Sequence, residues 1–377
     1  MANRNIKNGG ISITLIDTPT QLKELVKHLG SVNELAFDTE FDRFYRQYGF
    51  NLQLIQIFDG RSCFLVDAVQ IKQLDALWSI FENKKISKVL FSGREDIDLL
   101  KRNGCNPTNL FDVQIAAVLC NKPEQSYINL VKNELGIELD KSAQRSNWEI
   151  RPMSISQLIY ASNDVIHLLS LKNLLLEECK QNNLTRFLDE ENILLASSST
   201  TDYSPKLSPK QKREFSEYGR KKLMEFKMLA DRFGKEFNRP PHNIVGDSFL
   251  EEIIKDKERF LKDPFAKGFS RKAVESNVFT STFLDLVHSI DASISWQNKR
   301  LARPFTDNNR DENFKPRNGK DPRFMAFKEY VVRKHGETAG SLILGGVSER
   351  FTNEGIDWAG SKNYQGQLYE DYLANAK

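Results

Sequence analysis

Asp38 and Glu40 stand two residues apart in Leu35-Ala36-Phe37-Asp38-Thr39-Glu40. Asp96 lies in Ser92-Gly93-Arg94-Glu95-Asp96-Ile97, and Tyr160 and Asp164 stand four apart in Tyr160-Ala161-Ser162-Asn163-Asp164. Carboxylates brought together repel one another unless cations neutralise them. Hard divalent cations take carboxylate oxygen, and two of them about 3.5–4 Å apart are a recurrent device for cutting phosphodiester bonds. The chemistry implied is therefore metal-dependent nucleic-acid hydrolysis. Tyr160 would orient the attacking water or assist in removing its proton; an unperturbed phenol pKa of about 10 favours orientation. A single exposed acid is ordinarily solvated surface. Glu95, Asp98 and Asp112 fit that description, with Asp112 also placed to cap the following helix. A lone tyrosine is more often a core residue than a catalytic one, so the weight rests on the set.

The elements that must position these residues are legible. Residues 34–40 read as a strand whose alternation puts Asp38 and Glu40 on one face and Leu35, Phe37 and Thr39 on the other. Strands are also expected near 11–16, 53–59, 63–68, 87–92 and 109–112, with Asp59-Gly60-Arg61-Ser62 as a turn. Consecutive strands joined by such a turn predict an antiparallel meander. Helices are expected near 20–29, 71–82, 94–103 and 113–120, and 154–183 reads as one long helix or two joined ones. Asp96 then opens a helix that follows a strand, where clefts form, and Tyr160 and Asp164 share a helical face. The pattern predicts an α/β domain with a mixed sheet of about five strands.

The chain has 377 residues, 40% hydrophobic and 28% charged, which suits a soluble protein of two or three domains. The start lacks an apolar signal stretch and no run is long enough to span a bilayer, so a cytoplasmic location is expected. Cys63, Cys105, Cys120 and Cys179 are scattered without CxxC spacing, as reduced structural cysteines are, and a zinc site is not expected. His28, His167, His242, His288 and His335 show no metal spacing and no hydrolase-like pairing. There is no glycine-rich phosphate loop, so no nucleotide cofactor is implied. Residues 1–200 carry 22 Lys+Arg against 25 Asp+Glu, and residues 201–377 carry 32 against 26. The acidic front half suits cations and the basic back half suits phosphate, although such splits are common.

The boundaries read as a first domain over 1–196, a Ser/Thr/Pro-marked linker over 197–210, a helical unit over 211–295, a basic stretch over 296–322 (Lys299, Arg300, Arg303, Arg310, Lys315, Arg317 and Lys320) and a last unit over 323–377.

Over about residues 12–185 the chain resembles ribonuclease D, of the DEDD superfamily of 3′→5′ exonucleases, tyrosine subclass. The resemblance is carried by Phe37-Asp38-Thr39-Glu40-Phe41, Gln53-Leu54-Ile55-Gln56-Ile57, Glu95-Asp96, Asn109-Leu110-Phe111-Asp112, and above all Leu139-Asp140-Lys141-Ser142-Ala143-Gln144-Arg145-Ser146-Asn147-Trp148 followed by Arg151-Pro152-Met153-Ser154, Tyr160-Ala161 and Asp164-Val165. Asp231-Arg232-Phe233-Gly234-Lys235-Glu236-Phe237-Asn238-Arg239-Pro240-Pro241 is similar to the small all-α HRDC domain, and 323–377 resembles a second, diverged copy more weakly.

The resemblance implies a ribonuclease-H-like exonuclease core followed by one or two HRDC-like domains. It implies two divalent cations (Mg²⁺ or Mn²⁺) on Asp38, Glu40, Asp96 and Asp164, with Tyr160 positioning the water. The implied substrate is RNA with a single-stranded 3′ end, such as a tRNA precursor, with nucleoside 5′-monophosphates released. Gln144, Trp148 and Arg151 are candidates for shaping the substrate channel, or braces of the loop beneath the long helix. Phe41 would stack on a terminal base or belong to the core. Two departures from the family are Ser92, where histidine is frequent, and Asn147, where aspartate usually precedes the tryptophan. Two other functions compete: a 3′→5′ DNA exonuclease, distinguished by contact with the 2′-hydroxyl, and an inactive RNA-binding scaffold, whose mark would be a lost carboxylate. Oligomeric state is not legible.

Overall fold

The computed structural model describes residues 6–122, 126–140, 142–298, 321–352, 355–358 and 361–375. The described residues fall into two compact units: one drawn from 1–40, 52–200 and 313–377, the other from 41–51 and 201–312. The basic residues of 299–320 lie outside the described residues. Among the described residues, no helix is long and apolar enough to cross a membrane.

The strands in chain order are β1 (Ile6–Asn8), β2 (Ile11–Ile16), β3 (Glu34–Arg43), β4 (Phe50–Phe58), β5 (Ser62–Asp67), β6 (Ser87–Leu90) and β7 (Leu110–Asp112). They form one seven-stranded sheet in the order β1-β2-β5-β4-β3-β6-β7. The expected meander is present as β3-β4-β5, with Leu54 opposite Asp67 across the antiparallel β4–β5 pair. β2 runs parallel to β5, and β3, β6 and β7 run parallel to one another, so the sheet is mixed. β7 is the short strand expected near 109–112, and the strand not expected is β1, also of three residues.

Strand alternation divides the apolar residues between two cores. Leu35 and Phe37 face a core shared with α1 (Pro19–Leu29), α2 (Asp75–Phe81) and α3 (Arg94–Arg102). Ala36 faces the opposite core, with α4 (Val113–Leu119), α5 (Tyr127–Leu135), α6 (Ile155–Ile166), α7 (Leu168–Gln181) and α8 (Thr185–Ser197). Asp38 and Glu40 follow the parity of Ala36 and so lie on the α4–α8 face. The 154–183 segment is two helices: His167 ends α6 and begins α7.

In the second unit, α9 (Pro209–Glu214), α10 (Glu217–Phe237), α11 (Pro241–Ile244), α12 (Asp247–Lys255), α13 (Lys257–Leu261), α14 (Arg271–Glu275) and α15 (Asn277–His288) surround a phenylalanine-rich core. Gly234 lets α10 and the following Arg-Pro-Pro turn meet; a Cβ there would lie 2.8 Å from the Arg239 carbonyl oxygen.

The tail contains α16 (Pro322–His335), α17 (Glu337–Ile343), a two-residue-per-strand hairpin of β8 (Phe351–Thr352) and β9 (Gly355–Ile356), and α18 (Asn363–Asn375). The sequence suggested a separate helical unit over 323–377. In the structure these helices belong to the first unit, and Phe327, Val331, Ile343 and Tyr364 are part of the same core as α4, α7 and α8. Asn121 binds both ends of the α16–α17 turn, donating to the His335 carbonyl at 2.6 Å and accepting from the Ala339 amide at 3.1 Å. The Glu191 carboxylate on α8 receives the Lys362 ammonium and the Tyr364 hydroxyl, each at 2.5 Å. Nothing local in the tail's sequence names α4 or α8 as its partner.

Candidate active site

Three elements bring the acidic residues together. β3 supplies Asp38 and Glu40, α3 supplies Asp96 in its first turn, and α6 supplies Tyr160 and Asp164. α6 is started by a reciprocal capping box between Ser154 and Gln157, which satisfies the amides otherwise left open at a helix start. The start of α3 is more unusual. Ser92 is left-handed at φ +55°, and Gly93 packs so tightly that a Cβ would lie 1.9 Å from Leu90 Cδ1.

Asp112 holds this turn. Its carboxylate accepts the amides of Ser92 and Gly93, each at 2.9 Å, and that of Gln114 at 2.8 Å. Its own amide donates to Asn192 Oδ1 at 2.8 Å. Asp112 is therefore a buried anchor as well as the cap of α4, and not a solvated acid. Asp98 is likewise buried, 3% exposed and paired with Arg102 at 3.0 Å, whereas Glu95 is exposed as expected. The spacing of a helix start reveals a cap; it does not reveal that the same carboxylate reaches back about twenty residues to another turn. Replacing Asp112 with Ala leaves buried amides without acceptors and should cost about 2–4 kcal/mol. Because Asp96 sits on the turn being held, turnover should fall by up to about 10²-fold, the scale of an ångström of misplacement. Thermal unfolding and initial rates on the same preparations check both effects, and Asp112→Asn should recover part of each.

Burial raises all four carboxylates, and Asp38 and Glu40 are raised further by their acidic neighbours. Asp38 is pushed well above the usual carboxylate range by burial, then by Asp96, Asp164 and Glu40. Glu40 is pushed up by burial, then by Asp164 and Asp96. Burial raises Asp164 to about 8, opposed by the hydrogen bond from Tyr160, and raises Asp96 to about 6, opposed by the hydroxyl of Thr39, which donates to Asp96 Oδ1. Tyr160 is also pushed up, by burial and then by Asp164, Glu40 and Asp38. The named charges acting on Asp38 and Glu40 are thus all carboxylates. This is an oxygen-rich donor set with an excess of negative charge, which fits hard divalent cations. Among the described residues, no three His, Cys, Asp or Glu side chains are already drawn together at ligating distance.

Around this cluster the structure places further residues. Tyr127, on α5, was not marked by any sequence signal. It donates to the Asn163 carbonyl at 2.7 Å, and its phenol is pushed up by burial, Asp164 and Asp38. Trp148 is buried and lies beside Tyr160, ring centroids 6.0 Å apart. Arg151 braces the loop that carries Trp148. Its guanidinium donates to both oxygens of the fully buried Asp67 at 2.5 and 2.8 Å, and to the carbonyls of Trp148 at 2.5 Å and Gln53 at 3.1 Å. Gln144 is exposed, and Asn147 accepts the Glu149 amide at 3.1 Å. Phe41 belongs to the second unit, where it meets Phe50 edge-on at 4.8 Å. The four cysteines are free thiols, with the Cys120 and Cys179 sulfurs 3.4 Å apart.

Comparison with known proteins bears on the domain that carries these residues. A protein-family model described as 3′-5′ exonuclease matches residues 13–180. Ribonuclease D of Shewanella sp. (strain ANA-3) is 38% identical over 178 residues, 47% of this chain and 46% of its own. The chain thus spans about half the length of that relative. Ribonuclease D of Desulfotalea psychrophila is 28% identical over 268 residues, 69% of this chain and 71% of its own. The crystal structure of Escherichia coli RNase D, described as an exoribonuclease involved in structured RNA processing, superposes with a TM-score of 0.66 at 22% identity, covering 96% of this chain and 97% of that one. That superposition shows the same fold: a ribonuclease-H-like exonuclease core with a mixed sheet, followed by helices. Residues 13–180 thus match the 3′-5′ exonuclease family model, and the chain that carries them is similar to ribonuclease D.

Proposed function

We propose that this protein is a 3′→5′ exoribonuclease that removes nucleoside 5′-monophosphates from single-stranded 3′ ends, with tRNA precursors or other structured RNAs as substrates. The observation that carries the reading is the gathering of Asp38 and Glu40 on β3, Asp96 on α3, held by Thr39, and Asp164 on α6, bonded to Tyr160, close enough for Asp96 and Asp164 to act on Asp38 and Glu40. Its support from comparison is the exonuclease family match and the ribonuclease D relatives.

Asp38, Glu40, Asp96 and Asp164 would hold two divalent cations, Mg²⁺ or Mn²⁺. When bound, such a pair acidifies a water and neutralises charge on the scissile phosphate and leaving oxygen. The residues of this chain do the positioning. Tyr160, tied to Asp164, keeps its proton because burial and the surrounding carboxylates raise its pKa. Held beside Asp164, its hydroxyl is placed to orient water. Thr39 fixes one oxygen of Asp96 by donating its hydroxyl to it. Trp148 backs the Tyr160 ring, and Arg151 holds the loop from which Trp148 projects.

The test is a time course on 5′-labelled RNA and DNA of matched sequence with single-stranded 3′ tails, in Mg²⁺, Mn²⁺ or EDTA. A metal-dependent ladder shortening from the 3′ end of the RNA is the expected result. A ladder on DNA alone would make this a DNA exonuclease, and binding without a ladder on either would make it a scaffold.

A further inference from the structure

The second unit holds a cavity of about 280 Å³, close to the lower end of the range for small-molecule sites (about 300–1,000 Å³). Phe44, Tyr203, Pro205 and Val245 give it apolar walls, while Asp231 and Asp247 give it an acidic edge. All of these residues belong to the second unit.

The aromatic wall is built at a conformational cost. Phe44 adopts the left-handed region at φ +50°, which a bulky side chain rarely does. The buried Asp42 carboxylate enforces this by accepting the amides of Tyr45 at 2.9 Å, Arg46 at 2.9 Å and Gln47 at 3.0 Å, while the Phe44 amide donates to the Gly49 carbonyl at 2.8 Å. The result sets the Phe44 ring 5.6 Å from that of Tyr203 and 5.3 Å from that of Tyr48. Strain of this kind persists where the surroundings over-determine it, often at ligand sites.

The polar groups define what the cavity accepts. Lys227 is neutralised by Asp247 at 2.5 Å and also donates to the Lys206 carbonyl at 3.1 Å. Asp231 receives the Tyr48 hydroxyl at 3.0 and 3.1 Å, which leaves acceptor capacity on both oxygens. A phosphate here would meet two carboxylates, and of the lining cations Lys227 is already paired with Asp247, which leaves His242 as the other basic group. A flat ring carrying N–H donors on its edge would stack on the aromatic wall and donate to the acids.

We propose that this cavity binds a purine base of single-stranded RNA, held by stacking on Tyr203 and Phe44 and by donation of its edge N–H groups to Asp231 or Asp247. The inference rests on the exoribonuclease reading for the identity of the polymer. It adds a base-binding site in the second unit, made of other residues than the acidic cluster.

The experiment uses the full chain in EDTA with single-stranded RNA 14-mers, each carrying 2-aminopurine at one position. Stacking quenches the probe. The expected result is strong quenching of the bound probe, lost in Tyr203→Ala and in Phe44→Leu. Affinity should weaken roughly 5- to 150-fold, the range of one base stack, with unfolding midpoints near wild type for Tyr203→Ala, whose residue lies on coil. Unchanged quenching and affinity in Tyr203→Ala would overturn the proposal. Adding Mg²⁺ to the wild type separates the two readings. Cleaved RNA without a Tyr203 effect overturns only the cavity proposal, and Tyr203-dependent quenching on RNA that is never cleaved overturns only the nuclease reading.

Discussion

Asp164→Asn should abolish hydrolysis and at the same time make the metal-free protein more stable at pH 8. The carboxyl is raised to about 8 in the folded state, against about 4 in an unfolded chain. A raised carboxylate contributes its full stability below the unfolded value and loses it as pH rises through the folded one. Wild type therefore carries a penalty that grows between about pH 4 and pH 8, because the folded state must ionise a group that burial holds neutral. Asparagine has no such penalty. After allowance for the coupled neighbours Asp38 and Glu40, the gain at pH 8 should be roughly 2–4 kcal/mol, and it should vanish near pH 4, where both forms are neutral. Thermal unfolding in EDTA across that range measures it. Added Mg²⁺ or Mn²⁺ should raise the midpoint of wild type more than that of the variant, and more at pH 8 than at pH 5. A loss of stability equal at both pH values would show that Asp164 is a structural residue, and retained turnover would remove it from the proposed cation site.

Deletion of residues 321–377 should unfold the exonuclease unit itself, which an independent appended module would not do. The tail contributes Phe324, Phe327, Val331, Ile343, Tyr364 and Leu368 to the core shared with α4, α7 and α8. Removing it exposes that face and leaves Glu191, 8% exposed, without the Lys362 and Tyr364 donors. Buried charge stripped of its partners is strongly destabilising. A milder version is Tyr364→Ala, which removes a ring packed 4.8 Å from Phe187 and should cost about 3–5 kcal/mol. Circular dichroism and thermal melts on both variants check this. A truncated chain that melts like wild type would restore the reading of the tail as a separate domain.

The local chemistry of the site was legible in the chain. A strand with a period of two puts Asp38 and Glu40 on one face, a helix with four-residue spacing pairs Tyr160 with Asp164, and apolar neighbours distinguish both from solvated acids. The mixed sheet and its meander followed from alternation and turn residues in the same way. These are short-range properties, set by backbone geometry that every chain shares. What the sequence left open depended on contacts distant along the chain. Arg151 could have faced a substrate, but Asp67 is buried with two oxygens toward it, so the guanidinium is a brace. Asp112 read as surface because its second role needs Ser92 and Gly93, about twenty residues away, to bend back onto it. Tyr127 carries no spacing signal and comes beside the carboxylates only because α5 packs there. The tail's membership of the first unit rests on Asn121, Phe187 and Glu191, none of which its own sequence can name. Period and propensity decide which residues share a face; only packing decides which faces meet.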